Sequence, residues 1–92
     1  MTSKQRAYLR SLSNHIEPIF QVGKMGISDN LIKQVKDALK ARELIKIKVL
    51  ESVEAPIKDI AEEISLQTDS IIVQIMGNKI TLYKRNKEKT KI

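Results

Sequence analysis

The chain has no cysteine and no tryptophan, and its 92 residues hold only one phenylalanine, two tyrosines, two prolines, three glycines and one histidine. Each shortage excludes a class of chemistry. Without cysteine there is no disulfide, no thiolate nucleophile and no cysteine zinc site. The same lack fits a reducing compartment, and a cytoplasmic location is expected. A single histidine, His15, excludes a multi-histidine metal site, so neither a metal nor another cofactor is expected. With Tyr8, Phe20 and Tyr83 as the only aromatic residues, a sheet built as a multi-aromatic stacking platform is excluded. No apolar run approaches the ~18 residues of a membrane span. The opening "MTSKQRAYLR" carries charge where a secretory leader would be apolar, so no export and no membrane partner are expected. There is no Gly-x-Ser-x-Gly elbow and no Walker-type phosphate loop. Asp59, Glu62 and Glu63 read as solvated helix charges rather than a catalytic carboxylate cluster, because acid–base work needs an enclosed pocket. The expectation is a protein without catalytic activity and without a small-molecule substrate.

What the chain does have is charge and branched aliphatic residues. Charged residues make up 30% and apolar residues 41%, the balance of one small globular domain. The net charge of +6 is unevenly placed. Residues 1–42 carry eight Lys/Arg against three Asp/Glu, residues 43–69 three against seven, and residues 70–92 six against one. Basic ends around an acidic middle suggest one cationic surface and another turned away from it, and a polyanion is the natural partner of such a field. The plainer alternative is that the lysines only keep the domain soluble.

Periodicity orders the chain as α-β-α-β-α-β-β. Ser3 to Asn14 predicts a helix capped by Thr2 or Ser3, with an apolar side at Ala7, Tyr8, Leu9 and Leu12 and a cationic side at Lys4, Arg6 and Arg10. Pro18 stops it, and "PIFQV" reads as a short strand. Ser28 or Asp29 caps a second helix over 29–42, whose Leu31, Ile32, Val35, Ala38 and Leu39 follow the spacing of one buried face. "LIKIKVL" (44–50) alternates as a strand, with Ile45, Ile47 and Val49 on one side and Lys46 and Lys48 on the other. Two lysines would not point into a core, so the sheet is expected to keep one open face. A third helix follows over 56–67, buried along Ile57, Ile60, Ala61 and Ile64. Strands at 70–76 and 79–85 are joined by a "GN" hairpin turn. Each β-α-β step favours a right-handed parallel crossover, giving an α/β domain of the α+β two-layer sandwich type with a four-stranded mixed sheet. The domain is expected over 1–85, with 86–92 as a basic, flexible tail.

Two places could bind a ligand. The run "GKMG" at 23–26 joins a strand to a helix start, and glycine there permits positive φ and the close approach of another backbone. Free N–H groups and the helix dipole at such a junction favour an anion. Lys24 adds charge, and Met25 offers apolar contact to a sugar or base. Read alone, Gly23 and Gly26 could equally serve only to end the strand and begin the helix. Basic residues on the first helix and on the second, Lys33 and Lys36, are expected to bracket the loop. The open sheet face is the second place, presenting Lys46 and Lys48 and, in the same phase, Gln74, Thr81 and Tyr83, where one base could stack.

Taken together, these stretches resemble a stand-alone CRM domain (chloroplast RNA splicing and ribosome maturation) of the bacterial YhbY-like type. "TSKQRAYLRSLSNHIEPIFQVGKMGISDN" is similar to the family's opening, in which a Lys-Gln-Arg helix leads through a histidine and a proline into a Gly-x-x-Gly loop. "ARELIKIKVL" matches its second strand, "VQIMGNKITLYKR" its closing hairpin and, more weakly, "IAEEIS" its third helix. The resemblance implies a fold similar to the C-terminal domain of bacterial translation initiation factor three, with strand order 1-2-4-3. It implies RNA binding, and for single-domain bacterial members an association with precursors of the large ribosomal subunit. Carried over by position, Gly23, Lys24, Met25 and Gly26 form the RNA-contacting loop, extended by Lys4, Arg6, Arg10, Lys33 and Lys36. A monomer is expected. A different reading makes the domain a protein-interaction module that docks on a ribosomal protein or assembly factor through its acidic third helix, and a third makes it a small RNA-modifying enzyme or a subunit of one.

Overall fold

A computed structural model describes residues 1–86. The elements follow the expected order: α1 (Ser3–Ser13), β1 (Phe20–Val22), α2 (Asp29–Arg42), β2 (Leu44–Val49), α3 (Ile57–Thr68), β3 (Ile71–Met76) and β4 (Lys79–Tyr83). They form an α+β domain around one four-stranded mixed sheet of order β1-β2-β4-β3. β1 runs parallel to β2, and the other neighbours are antiparallel.

Local chemistry sets the boundaries. Thr2 and Gln5 form a reciprocal capping box at the start of α1. Ser28 accepts the Leu31 N–H at 3.0 Å and starts α2. Pro56 stands at the N-cap of α3, one position before the helix. Gly77 has φ +60°, and the two-residue hairpin it begins pairs Met76 with Lys79.

Alternation in β2 divides the sheet into two faces. Ile45, Ile47 and Val49 join Val22, Ile80 and Leu82 beneath α2 and α3, where Val35, Leu39 and Ile64 complete the main core. Burying each such side chain stabilises the fold by about 1.5–3 kcal/mol. α1 lies on the opposite face, where Leu9 packs on Leu44 and Val73. Its last turn is tied down by a 2.7 Å hydrogen bond between the buried hydroxyls of Ser13 and Thr81. The Lys46 ammonium also donates to the Ser13 carbonyl at 2.7 Å. A cation at the carbonyl end of a helix is favourable. The face expected to be open is therefore largely covered. The reason is that Leu44, Val73 and Tyr83 share the phase of Lys46 and give α1 an apolar seat.

The edge strand β3 is irregular. Its register with β4 shifts between Ile72 and Gln74, so Val73 is an extra residue. Arg6 donates to the Ile72 and Val73 carbonyls at 2.8 and 3.2 Å. A bulge and a cationic side chain both discourage a second chain from pairing with this edge.

Between α2 and β2, Glu43 adopts φ +65° and its side chain is buried. Its Oε2 accepts the Asn86 N–H at 2.9 Å, and the Asn86 amide donates to the Lys40 carbonyl at 2.9 Å. Oε1 has no partner among the described residues. Asn86, expected to begin a free tail, is thus fastened to the domain, while 87–92 lie outside the described residues.

Candidate nucleic-acid interface

Residues 23–26 form a four-residue turn closed by the Gly26 N–H donating to the Gly23 carbonyl at 2.8 Å. The Gly26 N–H therefore serves the turn and is not available to an anion. Gly26 has φ +72°, a left-handed conformation that favours glycine. A Cβ built on it would meet nothing within 4 Å, so any side chain there projects away from the protein. At Gly23 a Cβ would make an ordinary 3.7 Å contact with Leu50 Cδ1. Lys24 and Met25 occupy the turn's tip, and Met25 is 93% exposed. Beyond the turn, the Leu31 and Ile32 N–H groups bond to the Ser28 side chain and carbonyl. Asp29 and Asn30 are left as the first-turn N–H groups with no helical carbonyl to reach. The exposed Asp29 carboxylate opposes an anion at that spot, so the cationic pull must come from lysines.

Those lysines are supplied by the sheet. The Leu50 N–H bonds to the Val22 carbonyl at 2.9 Å, and the Val49 N–H to the Asn78 carbonyl at 2.7 Å. These bonds gather the glycine loop, the segment after β2 and the β3–β4 turn at one end of the sheet. Lys48 is register partner to both Gln21 and Lys79, and Lys79 to Met76. The four side chains form a row on the α1 face, beyond the reach of α1. Gln21, Lys79 and Met76 are exposed and Lys48 half-buried. Directly opposed residues on neighbouring strands have Cα atoms about 4.5–5.5 Å apart, and like charges in that relation repel. An anion bound over the row would relieve the repulsion.

The other expected site residues are dispersed. Lys33 and Lys36 are exposed on α2, about one and two turns from its start at the loop. Lys4 and Arg10 are exposed on α1, and Arg6 is held at the β3 edge. That edge lies three strand spacings, about 14 Å, from β1. The two basic helices thus occupy opposite faces and do not bracket the loop, because the apolar side of α1 is drawn to Leu44 and Val73. Lys46 is engaged with Ser13, and Tyr83 is half-buried beside Leu9. Lys79, Gln21 and Met76 were not anticipated. The phase of Lys48 pointed to them, but only the register shows them as neighbours. Asp59, Glu62 and Glu63 line the exposed side of α3. Among the described residues no cluster of His, Asp and Glu could hold a metal, and no helix is long and apolar enough to cross a membrane.

Known proteins share the sequence and the fold of this chain over most of its length. The family model of the CRS1 / YhbY (CRM) domain matches residues 1–84. The chain is 50% identical over 92 residues to YqeI of Bacillus subtilis, named a probable RNA-binding protein, and spans 96% of it. It is 37% identical over 86 residues to a probable RNA-binding protein of Methanocaldococcus jannaschii, spanning 63% of that longer chain. The solution structure of SAV1595 from Staphylococcus aureus, itself proposed to bind RNA, superposes with a TM-score of 0.78 at 49% identity. That match covers 96% of this chain and 95% of the other.

Proposed function

Because the chain belongs to the CRS1 / YhbY (CRM) domain family, we propose that it binds RNA through the sheet end formed by the Gly23–Gly26 turn and the Lys48–Lys79 row. The observation that carries this reading is the pairing of Lys48 with Lys79 at the sheet end that also holds the loop of Lys24, a like-charge arrangement that a phosphate backbone would stabilise. Lys24, Lys48 and Lys79 supply attraction through release of counterions from the RNA. The turn supplies fit: with no side chain at Gly26, an RNA backbone can approach the tip closely. Met25 gives apolar contact to a sugar or base. Lys33 and Lys36 extend the attraction along α2, while Lys4 and Arg10 act on the far face. Shape rather than base sequence supplies most of the specificity.

The RNA in this reading is ribosomal RNA in precursors of the large subunit, met in the cytoplasm by a monomer that acts by binding and catalyses nothing. The support is the similarity of nearly the whole chain to the single-domain bacterial members of the family. Crosslinking in cells, followed by sequencing of the attached RNA, tests it. Reads concentrated on large-subunit precursor RNA are expected, and reads spread evenly over messenger RNA would overturn the ribosomal assignment. In a purified system, Lys24→Ala should lower the slope of log affinity against log salt by about 0.7–0.9, one phosphate's worth.

A further inference from the structure

Away from the glycine loop, α1 and the far end of the sheet enclose a groove of about 520 Å3. Tyr8 and Tyr83, the chain's only tyrosines, both line it. Tyr83 is half-buried against the cluster of Leu9, Leu44 and Val73 and forms the inner wall of the groove, while Tyr8 is 56% exposed and forms its outer wall. Ile71, register partner of Tyr83 and 41% exposed, adds an apolar surface beside that ring. The polar lining is Gln5 and Arg85. The Gln5 carbonyl oxygen is occupied by the Thr2 N–H at 2.9 Å, so the end of the amide left to face a ligand is its NH2 donor. Among the described residues no carboxylate lines the groove, whereas two other clefts hold Asp37 and Asp69 in one case and Glu17 in the other.

Two aromatic rings, a donor suited to base carbonyls and ring nitrogens, and a guanidinium, with no acidic residue among the described lining, together match a nucleobase with its phosphate. We propose that this groove is a subsite for one unstacked base of single-stranded RNA, with Tyr8 and Tyr83 as ring contacts and Arg85 on the flanking phosphate. The inference rests on the RNA-binding reading and adds a second anchor to it. Tyr83 lies four residues, about 14 Å, along β4 from Lys79, a distance that a few nucleotides span.

The absence of tryptophan makes the test direct, since all tyrosine emission comes from the two rings of this groove. A single-stranded uridine octamer and the same octamer without its bases are titrated into the protein. Affinity is followed separately by the anisotropy of a fluorescein end label. The octamer should quench tyrosine emission saturably and the abasic chain should not. Tyr8→Leu should bind the octamer about fivefold or more weakly, and Tyr8→Phe should bind it as the parent does. Octamer binding with unchanged tyrosine emission, or with Tyr8→Leu equal to the parent, would overturn the base subsite and leave RNA binding at the loop standing. That result is also expected if the groove receives an apolar protein segment instead. Absence of octamer binding even at low salt would overturn both readings together.

Discussion

Replacing Gly26 with Asp and with Asn separates the shape of the glycine turn from its electrostatics. The two side chains are nearly the same size, and both tolerate positive φ better than other residues. At φ +72° an alanine would cost about 1 kcal/mol, or about 4–8 °C in Tm for a domain of this size, and Asn and Asp less. Neither side chain meets another atom within 4 Å of its Cβ, so the strain is local and the fold persists. The Asp carboxylate also lies three residues before α2, where the helix dipole favours it, so the Asp variant should be at least as stable as the Asn variant. Binding should move the other way. A carboxylate about 6 Å from an RNA phosphate, at an effective dielectric constant of about 40–80, adds about 0.7–1.4 kcal/mol of repulsion, or a three- to tenfold loss of affinity. Both variants should bind more weakly than the parent, with the Asp variant weaker than the Asn variant by that factor at low salt. The difference should shrink as salt shortens the screening length. Thermal denaturation and anisotropy of labelled RNA at several salt concentrations measure all of this. Equal affinities for the Asp and Asn variants at low salt would refute the placement of a phosphate at the turn.

Three further outcomes follow from the geometry. Lys79→Ala should leave stability unchanged or raise it by a few tenths of a kcal/mol, because it removes the repulsion with Lys48, yet weaken RNA binding and lower the salt slope; a Tm series paired with a salt titration reads both. Arg6→Ala should lower stability by about 1 kcal/mol through loss of its bonds to the Ile72 and Val73 carbonyls, and Arg10→Ala should not, so urea denaturation distinguishes a structural arginine from a surface one. Ser13→Ala should cost about 1–3 kcal/mol by stranding the buried Thr81 hydroxyl, and adding Thr81→Val should recover part of that loss in a double-mutant cycle.

Most of the fold was legible in the chain because its signals are local. The period of 3.6 in residues 29–42 and the period of two in residues 44–49 place α2 and β2 as found. Ser28, Pro56 and Gly77 mark boundaries by their own backbone and side-chain chemistry. The site was legible only in part. The turn at Gly23–Gly26 was visible because glycine declares an unusual backbone. The opposition of Lys48 and Lys79 was not, since it depends on a pairing between segments 31 residues apart in the chain.

The position of α1 shows the limit most clearly. Its helical character and its caps follow from Thr2, Gln5 and Leu9 and need nothing else in the molecule. Its choice of sheet face depends on Leu44 and Val73, on the Ser13–Thr81 bond and on the Lys46 ammonium, all contributed by distant strands. Periodicity states that a residue has a buried side; it does not name the surface that buries it. Element type, strand phase and the glycine turn are thus properties of the chain read locally. The covered face, the lysine row and the tyrosine groove exist only once long-range packing has brought those local pieces together.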